Sequence, residues 1–176
     1  MAALINKSTI QQYYDELLAT SLERISLERW CVEPSGFNFI DSNRVYGMAQ
    51  SNGVMRINEK FVGTTAHKKL KHTIAHEFAH FCAGLHHGHG KRFQTVEALF
   101  QAGLPLVPPE DIEQINVKTK HKYTLRCKTE DGHVFDLWGA DKKSRAYTCY
   151  DPKTKPKRYK AAGVSKRITS FEYAIN

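Results

Sequence analysis

The stretch HTIAHEFAHFCAGLHHGHGKRF, residues 72–93, constrains the chain most, because it has the apolar spacing of a buried helix yet holds six of the nine histidines. With His76 at zero on a wheel of about 100° per residue, Leu70, Ile74, Phe78, Phe81, Cys82 and Leu85 fall between about 120° and 240°. They form one apolar stripe. His76 and His80 fall on the opposite side, one turn apart, and Glu77 is rotated by about 100° from His76. Two imidazoles so placed can hold one cation, and the carboxylate can reach a water on it.

A hydrolytic zinc site needs three protein ligands and an open position, and the turn after the helix offers His86, His87 and His89. His89 is favoured because it opens HGKRF, where Gly90 lets the backbone turn beside an ion and Phe93 anchors the next helix. His86 is the rival. It stands six residues after His80, the spacing of metzincin peptidases, although their glycine would belong at Ala83. His87 is read as a supporting or solvated residue, and Tyr46 and His87 are candidate oxyanion donors.

The 176 residues suffice for one domain plus a small appendage. No apolar run approaches the roughly 18–20 residues of a membrane span, and the N-terminus turns charged before a signal-type core can form. The expectation is an intracellular protein, cytoplasmic and nucleoid-associated or nuclear, neither secreted nor in a membrane, and monomeric. Cys31, Cys82, Cys127 and Cys149 lack CxxC spacing and are read as reduced thiols. The net charge of +8 is uneven: residues 116–176 hold 15 Lys+Arg against 6 Asp+Glu, and residues 1–115 hold 11 against 12.

The pattern predicts a helix capped by Ser8 or Thr9 and running to about Ile25, then a small antiparallel sheet between Phe37 and Val62. The histidine helix follows from about Thr65 to Leu85, and another spans Lys91–Gln101 before Gly103. The proline-rich LPLVPPEDIEQIN, residues 104–116, reads as a connector or packed loop, with the domain boundary between 115 and 116. Beyond it KYTLRC, HVFDLW, RAYTCY and KRITSFEYAI alternate like strands, with DPKTKPKRYK as a basic loop.

This order of elements, with HEFAH and then HGKRF opening a further helix, resembles the SprT-like metallopeptidases over about residues 8–105. The resemblance implies an α+β, zincin-like fold, one catalytic Zn2+ on His76, His80 and His89, and Glu77 as catalytic acid/base. It also implies a zinc ribbon after the protease domain. This chain keeps only YTLRC and RAYTC of its two cysteine knuckles, so a four-cysteine site is ruled out by count. Cys127 and Cys149 could still bind metal with His121 or His133, but the favoured reading is a ribbon-like module without its ion, held by Tyr123, Phe135, Leu137, Trp138 and Tyr147.

Interleaved cations and aromatics in this module suit nucleic acid, since cations neutralise phosphates and rings stack on unpaired bases. Candidate contacts are Lys142, Lys143, Arg145, Lys153, Lys155, Lys157, Arg158 and Lys160, with Lys166 and Arg167 in the wider set. The expected function is a zinc metallopeptidase that cleaves proteins bound or crosslinked to DNA, single-stranded DNA included, and is tethered by its basic module. The alternative is a DNA-binding regulatory protein with structural zinc and little proteolysis.

Overall fold

The computed structural model describes residues 3–161 and 163–176, and the chain divides into two units, residues up to Thr119 and Lys120–Asn176. In the first unit α1 covers Lys7–Arg24 and buries Ile10, Tyr14, Leu17 and Ser21. Its cap is Asn6, two or three residues before the expected Ser8 or Thr9: the Asn6 carboxamide oxygen accepts from Thr9 N at 2.9 Å. Thr9 belongs to the cap, but as the reciprocal partner inside the first turn.

Three strands follow, β1 (Gly36–Ile40), β2 (Gly47–Ala49) and β3 (Val54–Asn58), in the order β1-β3-β2. β2 and β3 form the expected antiparallel hairpin, but β1 runs parallel to β3, so the sheet is mixed. The reason lies in the loop at 41–46, which carries the chain across to the other side of β3. Asn58 Nδ2 holds that loop by donating to Ser42 O and Val45 O, each at 2.7 Å. Strand alternation carries no information about such a crossing.

The histidine helix, α2, spans His67–Ala83 and packs Leu70, Ile74, Phe78, Phe81 and Cys82 into the core. α3 spans Lys91–Gln101 and buries Phe93, Val96 and Phe100. The expected connector contains a helix instead, α4, Pro109–Asn116. Its prolines obscured it, yet Pro109 stands at the first helical position, where a missing N–H costs nothing, and Glu110 and Asp111 follow in the first turn.

α4 has a task at the other end of the unit's chemistry. α2 has no side-chain cap of its own, Ala66 being its N-cap. The buried Asp111 carboxylate accepts from Lys68 N and Lys69 N, both at 3.1 Å, and Gln114 Oε1 accepts from Thr65 N at 2.8 Å. At the far end Val32 N donates to Phe81 O at 3.0 Å and Cys31 N to Cys82 O at 3.4 Å. Both ends of α2 are thus closed by residues distant in sequence.

The second unit is a four-stranded antiparallel sheet ordered β5-β4-β7-β6, from β4 (Tyr123–Thr129), β5 (Val134–Ala140), β6 (Arg158–Ala161) and β7 (Val164–Ile175). RAYTCY is not a strand: Arg145–Thr148 forms a single helical turn, α5, with Ser144 Oγ accepting from Ala146 N. The basic loop likewise ends in structure, its RYK forming most of β6. Leu125, Cys127, Thr129 and Ile168 are buried, whereas Trp138, expected in the core, is 51% exposed and meets Tyr147 edge-on at 5.7 Å. Phe135 stacks on Tyr159 at 4.1 Å, and Tyr147 and Tyr150 both pack on Phe171.

Replacing Asp111 with Ala leaves two N–H groups at the start of α2 without their acceptor. Thermal or denaturant unfolding of Asp111→Ala should show a loss of about 1–2 kcal/mol. An unchanged midpoint would mean that α2 does not depend on this borrowed cap.

Candidate metal centre

One turn of α2 separates His76 from His80, whose ring centroids lie 4.9 Å apart. Gly84, at φ +100°, and Gly88, at φ +50°, turn the chain back over them and deliver His89, whose ring is 5.2 Å from His76 and 5.0 Å from His80. One nitrogen from each of the three rings lies within 4.8 Å of the others, and among the described residues this is the single such cluster of His, Cys, Asp and Glu. His76 Nε2 and His89 Nε2 are 3.3 Å apart. A tetrahedral ion with Zn–N bonds of about 2.1 Å requires nitrogens about 3.4 Å apart, which the His76–His89 pair meets, and the third nitrogen lies within 4.8 Å of both.

α3 supports this cluster from below. The Phe93 ring lies 5.0 Å from His76, 4.3 Å from His80 and 4.9 Å from His89, touching all three from one apolar surface. One turn further, Glu97 Oε1 accepts from His76 Nδ1 at 2.6 Å, which fixes the tautomer and leaves Nε2 free to ligate. Gln101 Nε2 holds the same carboxylate oxygen at 3.2 Å, and Gln94 Nε2 donates to His89 O at 2.9 Å. Burial, then the neighbouring His76 and His89, push His80 down to about 4. It is a neutral imidazole at physiological pH, the form that binds a metal.

Glu77 is buried between α2 and β2. A Cβ on Gly47 would come within 2.8 Å of Thr73 Cγ2 and 2.9 Å of Glu77 Cγ and Oε1, so the close approach of strand and carboxylate needs glycine here. Desolvation pushes Glu77 up to about 7, opposed by a hydrogen bond from the Ala49 backbone N–H and reinforced by Glu97. Beside it opens a cleft of about 400 Å³ bounded by Tyr46, Gly47, Lys69, His76, Glu77 and Glu97. A larger, more open hollow of about 590 Å³, lined by Lys7, Phe39, Lys60 and Lys118, includes none of these groups. Two of its three amines are already spent on the backbone carbonyls of Ser42 and Val62.

The other histidines are placed elsewhere. His86 and His87 pack on each other at 4.1 Å outside the cluster, so the metzincin-like spacing of His86 is not used. His72 Nε2 bonds Pro105 O at 3.0 Å, and His67 Nδ1 meets the Tyr13 hydroxyl at 2.9 Å. Of the two candidate oxyanion donors, Tyr46 lines the cleft with its hydroxyl donating to Asn116 at 3.3 Å, whereas His87 does not line it. In the second unit His121 pairs with Asp141 and His133 with Asp131, while Cys127 is buried within β4 and Cys149 is exposed after α5.

A model of the SprT-like family matches residues 10–121. The chain belongs to the SprT-like family. Membership identifies the first unit as a metallopeptidase-type domain of a zinc-associated family, in keeping with a cluster that can hold a metal ion. No curated protein and no solved structure shows significant similarity to the chain. Within this SprT-like unit, Glu97 and Gln101 are the site residues that sequence reasoning missed. The available signal was the spacing of Phe93, Glu97 and Gln101 along one face of α3, the face that His89 turns toward.

The raised Glu77 sets a pH dependence in the metal-free chain. Its native carboxyl holds a proton more tightly than the unfolded one, so stability falls as pH rises from about 4.5 to about 7 and stays lower above that. The cost above pH 7 is about 3 kcal/mol. Glu77→Gln should therefore melt several degrees higher than wild type at pH 8 in chelator and together with it near pH 4. Coincident melting curves at pH 8 would show that Glu77 carries no desolvation penalty.

Proposed function

We propose that the chain is a zinc-dependent metallopeptidase acting on proteins bound or crosslinked to DNA, with the first unit cutting and the basic second unit holding the nucleic acid. The observation that carries the catalytic part is the trio His76, His80 and His89, with one ring nitrogen of each within 4.8 Å of the others and Glu77 buried beside it. Zinc on these residues supplies Lewis acidity and a bound water of lowered pKa. Three ligands leave the open position that distinguishes a catalytic site from a structural one.

The protein's own groups then have distinct tasks. Glu77, kept basic by burial, takes the proton of the attacking water and returns it to the leaving amine. Glu97 keeps His76 in its ligating tautomer. The cleft's edge strand suits an extended polypeptide. Asn58 N bonds Tyr46 O and Gln50 N bonds Val54 O, so alternation turns the backbone groups of Gly47 and Ala49 away from β3, with the Ala49 N–H engaged by Glu77 and the others left to the cleft side. A substrate strand can add along that edge.

The DNA part is supported by charge. Lys142, Lys143, Arg145, Lys153, Lys155, Lys157, Arg158 and Lys160 all have exposed side chains. Of these, the Arg158 guanidinium donates to Ser165 Oγ and O, as that of Arg167 does to Pro152 O, and Lys166 is paired with Asp131. Trp138 is half-exposed beside Tyr147, offering a ring to unpaired bases. A covalent link between the two units raises the local concentration of DNA-bound substrates at the cleft. This reading places the protein with nucleic acid, in the cytoplasm or nucleus.

Zinc-loaded wild type should cleave a DNA-crosslinked protein, faster at low salt than at high salt. Glu77→Gln should keep its zinc and its DNA affinity but lose activity by about 10²–10⁴-fold. No cleavage by wild type would favour a DNA-binding protein with structural zinc, and equal cleavage by both proteins would remove Glu77 from the catalytic step.

A further inference from the structure

The cleft beside Glu77 contains a cation that hydrolysis does not require. Lys69 lies two turns before Glu77 on α2, half-buried, with Nζ 4.4 Å from the centroid of the Tyr46 ring. Among the described residues no oxygen accepts a hydrogen bond from this amine and no carboxylate pairs with it. Nearby lysines differ: Lys60 donates to Ser42 O at 2.9 Å, Lys71 pairs with Glu16 at 3.5 Å, and Lys118 donates to Val62 O. Of the acids lining the cleft, Glu97 is already engaged by His76 and Gln101, and Glu77 by the Ala49 N–H. Burial also holds Lys69 below the usual amine range, with Glu97 opposing.

A half-desolvated ammonium without an acceptor gains most from an anion that arrives with its own oxygens. The Tyr46 ring keeps the ammonium at the cleft wall rather than in bulk water. Lys69, Thr73, His76 and Glu77 share one side of α2 facing one cavity, with Val45 and Val107 adding apolar wall. An extended chain on the outer edge of β2 advances about 3.3 Å per residue. A side chain one or two residues from the scissile bond therefore enters this space.

We propose that Lys69 makes the cleft a subsite for an acidic side chain, so that the protease unit cuts beside aspartate or glutamate residues. The proposal rests on the peptidase reading for its consequence and on the cleft itself for its binding. Lys69 sets specificity and does not take part in the bond-breaking step.

Two measurements on the full-length zinc-loaded chain test it. The first is digestion of a mixed peptide library, with cut sites mapped by mass spectrometry. Wild type should show Asp and Glu enriched at one position within two residues of the cut. Lys69→Met should lose that enrichment while cutting neutral sequences, Lys69→Arg should keep it, and Lys69→Glu should turn it toward Lys and Arg. The second needs no turnover: anisotropy of labelled peptide hydroxamates, identical except for one Asp, Leu or Lys residue, on the Glu77→Gln protein. The Asp probe should bind about tenfold more tightly than the Lys probe, a difference that Lys69→Met removes.

Cleavage without acidic enrichment, or enrichment that survives Lys69→Met, overturns the subsite and leaves the peptidase standing. No cleavage, with hydroxamate discrimination intact, overturns the peptidase and upholds the subsite. No cleavage and no discrimination overturn both.

Discussion

Three imidazoles must be brought within one ion's reach, and the rest of the first unit follows from how that is done. Helical spacing sets two of them. The third arrives by a turn, and a turn alone would leave it loose. Phe93 removes that freedom by packing against all three rings, and Glu97 fixes the hydrogen of the one ring it reaches. The helix that opens after His89 is therefore half of the site, its apolar residue setting position and its acid setting protonation.

The same economy appears at the ends of α2. An isolated helix would need its own caps, but this one takes its N-terminal acceptors from α4 and its C-terminal donors from residues 31–32. Those contacts tie two separated segments to one rigid axis, and β2 completes the arrangement by pressing glycine against Glu77. Burial of that carboxylate and of His80 weakens the metal-free unit to the benefit of its chemistry, since a basic carboxyl and a neutral imidazole are what a metal hydrolase uses.

What could be read in the sequence was what local spacing encodes. HEFAH and HGKRF pointed to the histidine cluster that could hold an ion because i, i+4 spacing and a glycine turn are local geometry, and the apolar stripe of α2 marked its buried face for the same reason. Glu97 was hidden because its partner lies 21 residues away across a helix pair. α4 was hidden by prolines that here begin a helix rather than interrupt one. β1 was misdirected because the crossing at 41–46 is held by the side chains of Asn58 and Lys60, beyond the reach of strand alternation. In the second unit RAYTCY has strand-like alternation, but Ser144 caps it into a helical turn.

The account stands on zinc at His76, His80 and His89, and elemental analysis of purified chains tests that most directly. One zinc per wild-type chain, lost in His89→Ala and retained in His86→Ala and His87→Ala, is the predicted result. A wild-type chain that binds no zinc, or one that loses it with His86→Ala and keeps it with His89→Ala, would contradict it.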